Sequence, residues 1–210
     1  MKIMVTGFEP FDGSDVNPSE QVVKRLVEHN PIAKVQLAAL ILPVDRTRAP
    51  EILLQAIDEE KPRGIICLGE AHTRAAICVE RVAVNLMDFR IADNRGNFVV
   101  DEEIIPGGPA AFFATLPVRE IFNEIKALGV PVELSLSAGA FLCNQVMYRL
   151  LHHLNDRQPH IPAGFIHLPR LPEQAAQNCI MLPSMAVETS TLGITIAIRV
   201  LAKKIRGKGN

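Results

Sequence analysis

The 210-residue chain has no tryptophan and a single tyrosine, Tyr148. Proteins that bind single strands without sequence preference stack bases on aromatic side chains, so that scarcity argues against one class of function. An excess of charge is missing too: 22 Lys and Arg against 23 Asp and Glu leave a formal net charge of -1. Neither nucleic acid nor an anionic membrane surface is therefore an expected partner. No apolar run approaches the roughly 18 uncharged residues that cross a bilayer. The opening residues, Met1 to Thr6, lack a signal-peptide core and turn into a loop at Gly7. The four cysteines, Cys67, Cys78, Cys143 and Cys179, include no CxxC pair. That argues against a zinc knuckle or a dithiol redox motif, and individually placed reduced thiols fit the cytoplasm. His152, His153 and His160 form no ligand pattern with nearby cysteine or carboxylate, so neither metal nor cofactor is expected. A phosphate loop of the GxxxxGK[ST] type is absent as well.

What the chain does have is an alternation of strand and helix patterns from end to end. Apolar runs at Lys2 to Thr6, Val35 to Val44, Gly64 to Leu68, Val130 to Leu136 and Ala163 to Leu168 read as buried strands. Ala75 to Leu86, rich in β-branched residues, contains a further strand. Helices are expected from Pro18, over Ala49 to Glu59, Val118 to Leu128, Gln145 to Leu154 and Met185 to Lys203. Asn17-Pro18-Ser19-Glu20 has the chemistry of a helix start, and Gly129 with Pro131 that of a stop. Such alternation predicts an α/β fold: a single-domain α/β/α sandwich over residues 1–210, with a mostly parallel twisted sheet flanked by helices. The one long irregular stretch, Met87 to Pro109, is of a length that usually serves function.

In open α/β sheets ligands bind near the carboxyl ends of strands, and four polar segments fall there. These are the Gly7-to-Asn17 loop, Gly69 to Arg74, Cys143 and His167. Cys143 follows the small residues Ser137 to Ala140 and stands at or near the first turn of a helix. Unpaired backbone N–H groups and the helix dipole favour a thiolate there. The competing account is a small apolar residue packed under a turn. A cysteine nucleophile needs a base, and His167 titrates in the right range; it could equally be a satisfied core histidine. The base needs an acceptor on its other nitrogen. Glu80, embedded in an apolar run, could be that acceptor, or could pair with Arg81, Arg74 or Arg90. From spacing alone these alternatives stand open.

Longer strings resolve more. Thr6-Gly7-Phe8-Glu9-Pro10-Phe11-Asp12-Gly13 with Asn17-Pro18 resembles the opening of the pyroglutamyl peptidase I family. Gly69-Glu70-Ala71, Glu80 to Asn85, Asp88 with Arg90-Ile91, Gly108 to Phe113, Phe141-Leu142-Cys143-Asn144, Gly164 to His167 and Leu171 to Gln174 resemble it in the same order. The resemblance implies Cys143 as nucleophile, His167 as base and acid, and Glu80 as the orienting carboxylate. It implies removal of an N-terminal pyroglutamyl residue from peptide substrates through a thioester, without metal, by a cytosolic homotetramer. It also implies Phe8 and Phe11 around the lactam ring, against the alternative that the loop is simply anchored to the sheet. Arg90 is implied near the oxyanion; its rival role is an ion pair with Asp88 or Asp93. Asn17 is the helix cap on local grounds and shapes the same loop. The chain departs from the family at Glu70, where glutamine is usual, and at Asp12, where glycine is usual. An ionised Glu70 accepts but cannot donate, with Arg74 or His72 the expected counter-charge. That departure keeps open a related thiol amidase of shifted small-acyl-amide specificity, and a non-catalytic small-ligand binder on the same scaffold.

Overall fold

The computed structural model describes residues 1–30, 32–157, 160–177 and 182–207, the side chain of Asp156 aside. Cys179 lies outside the described residues. The apolar runs become strands β1 (Lys2–Phe8), β2 (Gln36–Leu42), β3 (Ile65–Glu70), β4 (Ile77–Glu80), β7 (Val132–Ser135) and β8 (Ala163–Leu168), in one sheet of order β2-β1-β3-β8-β4-β7. A separate ribbon pairs β5 (Val82–Val84) with β6 (Ala111–Phe113) antiparallel. The long helices are α1 (Pro18–Glu28), α2 (Arg48–Glu60), α3 (Val118–Ala127), α4 (Leu142–Arg157) and α6 (Val187–Gly207), with a short α5 (Pro172–Ala176). One core joins α1, α3 and α6 to one face of the sheet; the second joins α2 and α4 to the other. Central strands are therefore covered on both faces, and β8 is buried at every position. That is why they read as continuous apolar runs.

Most neighbours in the sheet are parallel, but β4 pairs antiparallel with β8. Strands β4 and β7 thus run opposite to the other four. The rule of strand carboxyl ends holds for β1, β3 and β8, and not for the strand before Cys143. Ser135 ends β7 opposite Glu80, and segment 136–141 carries the chain back to the start of α4.

Several local differences from the sequence expectation have plain causes. The run Ala75 to Leu86 divides at Arg81 into two strands belonging to different sheets. β6 and α5 are too short for a period to register. Phe8 is not in the first loop but is the buried last residue of β1. Asn17 caps α1 by accepting from the Ser19 amide. The glutamate of the anticipated capping pattern, Glu20, pairs instead with Lys24 one turn on. A Cβ on Gly7 would lie 2.7 Å from the Ser19 backbone, so the start of α1 rests directly on β1. Asp12, where the resemblance expects glycine, has φ 54°. Left-handed backbone is the region that glycine enters most freely, which accounts for the usual residue there.

Candidate active site

Register, rather than loop geometry, sets two of the three predicted groups. β3 and β8 pair Gly69 with His167, while β8 and β4 pair His167 with Cys78. Glu80 ends β4, and its Oε1 lies 2.8 Å from Nδ1 of His167. Glu80 is wholly buried and His167 nearly so. A buried carboxylate is costly without a partner, and among the described residues Arg81, Arg74 and Arg90 make no ion pair with it. Arg74 bonds Glu133 instead.

Cys143 approaches from the other side, on a helix. α4 begins at Leu142, earlier than its apolar period indicates, so the cysteine lies inside the first turn. Gln145 N–H donates to Phe141 C=O, which leaves the amides of Leu142, Cys143 and Asn144 ahead of the first intrahelical bond. These are donors of the kind that stabilise a developing oxyanion. A Cβ on Gly69 would lie 2.8 Å from the Cys143 sulfur and 2.8 Å from the Phe165 ring. Only glycine leaves room at that point of β3. Burial alone would lower the pKa of His167; the neighbouring Cys143 sulfur, its hydrogen bond, and the Glu80 carboxylate outweigh burial and push it up to about 9. The imidazole is thus held between an anionic carboxylate on Nδ1 and a sulfur that can carry negative charge.

A cavity of about 340 Å³ opens over this trio. Phe8, Phe11, Asn17, Glu70, Arg90, Cys143 and His167 all line it, so seven of the eight predicted site residues meet there. Glu80, the eighth, stands behind His167. Phe11 and Phe141 lie 6.3 Å apart between ring centroids, and Phe141 meets Phe89 edge-on at 4.7 Å. Asn17 is fully buried; its Oδ1 also accepts from the Ser19 hydroxyl and its Nδ2 donates to Glu9 C=O. Cap and loop brace are therefore the same side chain.

Glu70 does not find its counter-charge in Arg74 or His72. Its Oε2 accepts from Nε2 of Gln174 at 3.1 Å, and Nε of Arg170 lies 3.6 Å from Oε1. Burial raises its pKa, against the hydrogen bond from Gln174 and the charge of Arg170. His72 is held below its usual range by burial and by the positive charges of Arg90 and Arg170. Arg90 makes no ion pair with Asp88 or Asp93 among the described residues. The Asp93 carboxylate instead accepts from the Arg46, Arg95 and Asn97 amides. Cys67 and Cys78 are buried; burial pushes the Cys67 thiol up to about 12.

Sequence reasoning did not single out Phe141, Arg170 or Gln174, and it named Gly69 only as the start of a strand-end segment. Phe141 and Gln174 lie inside strings already quoted for the resemblance, but nothing in their spacing marks them as lining residues.

Residues 1–204 match the profile of the family described as pyroglutamyl peptidase. A pyrrolidone-carboxylate peptidase of Gloeobacter violaceus is 46% identical over 201 residues, covering 96% of this chain and 97% of that protein. One from Pyrococcus furiosus is 41% identical over 208 residues, covering 98% and 100%. The crystal structure of pyroglutamyl peptidase I from Bacillus amyloliquefaciens superposes with a TM-score of 0.91 at 40% identity, covering 96% of this chain and 94% of that one. The pyrrolidone carboxyl peptidase of Thermococcus litoralis gives 0.93 at 38% identity, covering 99% and 96%.

Proposed function

The chain belongs to the pyroglutamyl peptidase family, and from that premise we propose that it removes N-terminal pyroglutamyl residues from peptides with Cys143, His167 and Glu80. The observation that carries the reading is the convergence, in one cavity, of a helix-start thiol and a histidine tied to a buried carboxylate. His167 takes the thiol proton, and the Cys143 sulfur attacks the pyroglutamyl carbonyl carbon. The C–S bond forms as the carbonyl π pair moves onto oxygen. The first-turn amides of α4 receive that oxyanion, with Arg90 as a further cationic contributor. As the oxyanion collapses, the C–N bond breaks and the imidazolium gives its proton to the leaving amine. Water then attacks the thioester with His167 as base, releasing pyroglutamate and the free thiol. Glu80 fixes the tautomer and favours the imidazolium.

Phe8, Phe11 and Phe141 supply the apolar walls that a flat, neutral lactam needs, while Asn17 and Glu70 supply polar contacts at its edge. Glu70 also motivates a second reading, a thiol amidase with another small acyl-amide substrate. We further read the protein as a single catalytic domain and a cytoplasmic homotetramer, with no nucleic-acid or membrane partner. Supporting this are the near-zero net charge, exposed apolar residues such as Phe113 (70%) and Leu136 (67%), and the family. No helix among the described residues is long and apolar enough to cross a membrane.

The test is release of a chromophore from a pyroglutamyl amide by the wild type and by Cys143→Ala. Turnover by the wild type alone is expected. Absence of wild-type turnover would sink the peptidase reading, and turnover that survives the substitution would remove Cys143 from the mechanism. Faster release from a different small acyl amide would favour the second reading.

A further inference from the structure

The Cys–His–Glu arrangement has an unequal foundation. His167 and Glu80 sit on neighbouring strands whose register fixes their separation. Cys143 sits on a helix, and no strand pairing sets how far its first turn stands from the sheet. The residue after it supplies the missing tie. Asn144 is completely buried, and its carboxamide makes three hydrogen bonds, all to one segment. Oδ1 accepts from the Val84 amide at 2.9 Å, while Nδ2 donates to Val84 C=O at 2.9 Å and to Leu86 C=O at 2.9 Å. That segment continues directly from Glu80 through β5.

The chemistry of this contact is specific to an amide. β5 is paired on one side with β6, where Asn85 N–H donates to Ala110 C=O and Ala114 N–H to Arg81 C=O. Successive residues of a strand direct their amide and carbonyl to opposite sides, so Val84 presents both groups away from β6. Among the described residues no strand takes them, although the Val84 C=O also accepts from the Leu86 N–H at 2.9 Å. The Asn144 side chain takes them, offering one acceptor and two donors to one N–H and two carbonyls. A carboxylate of the same shape would set negative oxygen against two carbonyl oxygens, and an aliphatic side chain would take these bonds from the part-buried Val84 N–H and Leu86 C=O. The same helix end is linked once more to this segment, through Asp88 N–H to Ala140 C=O at 3.0 Å. Gln145 Nε2 donates to Arg46 C=O at 2.8 Å and ties the helix to the exit of β2.

We propose that Asn144 is the positioning residue of the nucleophile: its amide clamps the first turn of α4 to the strand that leaves Glu80, and so sets the Cys143 sulfur against His167. The inference rests on the assignment of Cys143 and His167 in the proposed function. It extends that assignment to a side chain that touches neither substrate nor reacting atoms.

The experiment compares wild type, Asn144→Ala and Asn144→Ser on a pyroglutamyl amide, with folding checked by circular dichroism. The rate of Cys143 alkylation by iodoacetamide is followed against pH in parallel. In the folded variants kcat falls about 10- to 100-fold, the size expected for a nucleophile displaced by about 1 Å. KM stays within about threefold, because the cavity walls are untouched, and the pH profile of alkylation shifts relative to wild type. Folded variants with wild-type kcat and an unshifted alkylation profile overturn the proposal. So does a loss expressed in KM alone, which assigns Asn144 to the pocket. Failure of both variants to fold assigns it to the fold and overturns it equally. A wild type without turnover is a failure of the peptidase reading, and the alkylation profiles then still decide whether Asn144 sets the sulfur.

Discussion

Glu80 shows how much a single residue's surroundings can add to what its letter says. Its sequence position offered three arginines and a histidine as partners; register selects the histidine. Because the Cys143 sulfur, and Glu80 with it, push the His167 pKa up to about 9, the imidazolium of the free enzyme persists above neutrality. Activity should therefore decline as pH rises through about 9. In Glu80→Gln that alkaline limb should move to lower pH, with kcat down by about 10²- to 10⁴-fold, as read from kcat and kcat/KM profiles. Glu70 presents the opposite electrostatics. Burial raises its pKa above the unfolded value, so ionising it costs stability, a cost absent at low pH and complete once pH exceeds the folded value. Glu70→Gln removes the cost and restores a donor. Pyroglutamyl turnover should equal or exceed wild type, and the gain in Tm should be larger at pH 7 than at pH 4. A large fall in turnover would mean that the carboxylate is used as it stands. The partners of Glu70 could not be foreseen from sequence alone, because Arg170 and Gln174 stand about a hundred positions away.

Among elements, legibility followed length and period. The buried strands and long helices announce themselves by apolar runs and by caps such as Asn17 and Gly129. The reversal of β4 and β7 does not, since a short buried strand reads the same in either direction. Helix α4 illustrates the limit at finer grain: its apolar period starts after the residues that matter, because its first turn gives Cys143 to the cavity and Asn144 and Gln145 to buried polar contacts. Strand β3 meets that turn at Gly69, where a methyl group would collide with the Cys143 sulfur and the Phe165 ring. Gly69→Ala should keep the sheet while moving the sulfur. Overpacking of this kind costs about 1–3 kcal/mol, readable by urea unfolding, and kcat should fall by about 10²-fold or more. Wild-type kcat in a folded Gly69→Ala protein would show that the contact has slack.

Across the whole molecule, the α/β class follows from the alternation of strands and helices, whereas assembly does not. The exposed apolar side chains Phe98, Val100, Phe113 and Leu136 predict association between copies. Sedimentation should give a tetramer at micromolar concentration, Tm should rise with protein concentration, and Phe113→Glu should weaken both effects. A sedimenting monomer with a concentration-independent Tm would contradict the homotetramer. The lack of tryptophan has a practical sequel. Tyr148, the sole tyrosine, is buried in α4, meets Phe112 edge-on and donates to Pro109 C=O. Intrinsic ultraviolet emission of the protein consequently reports the seating of one helix, the one that bears Cys143. During refolding, that emission would time the docking of the helix while returning turnover would time closure of the β8–β4 seam. The two ends of that seam lie 87 residues apart, and such distant pairings are slow to form.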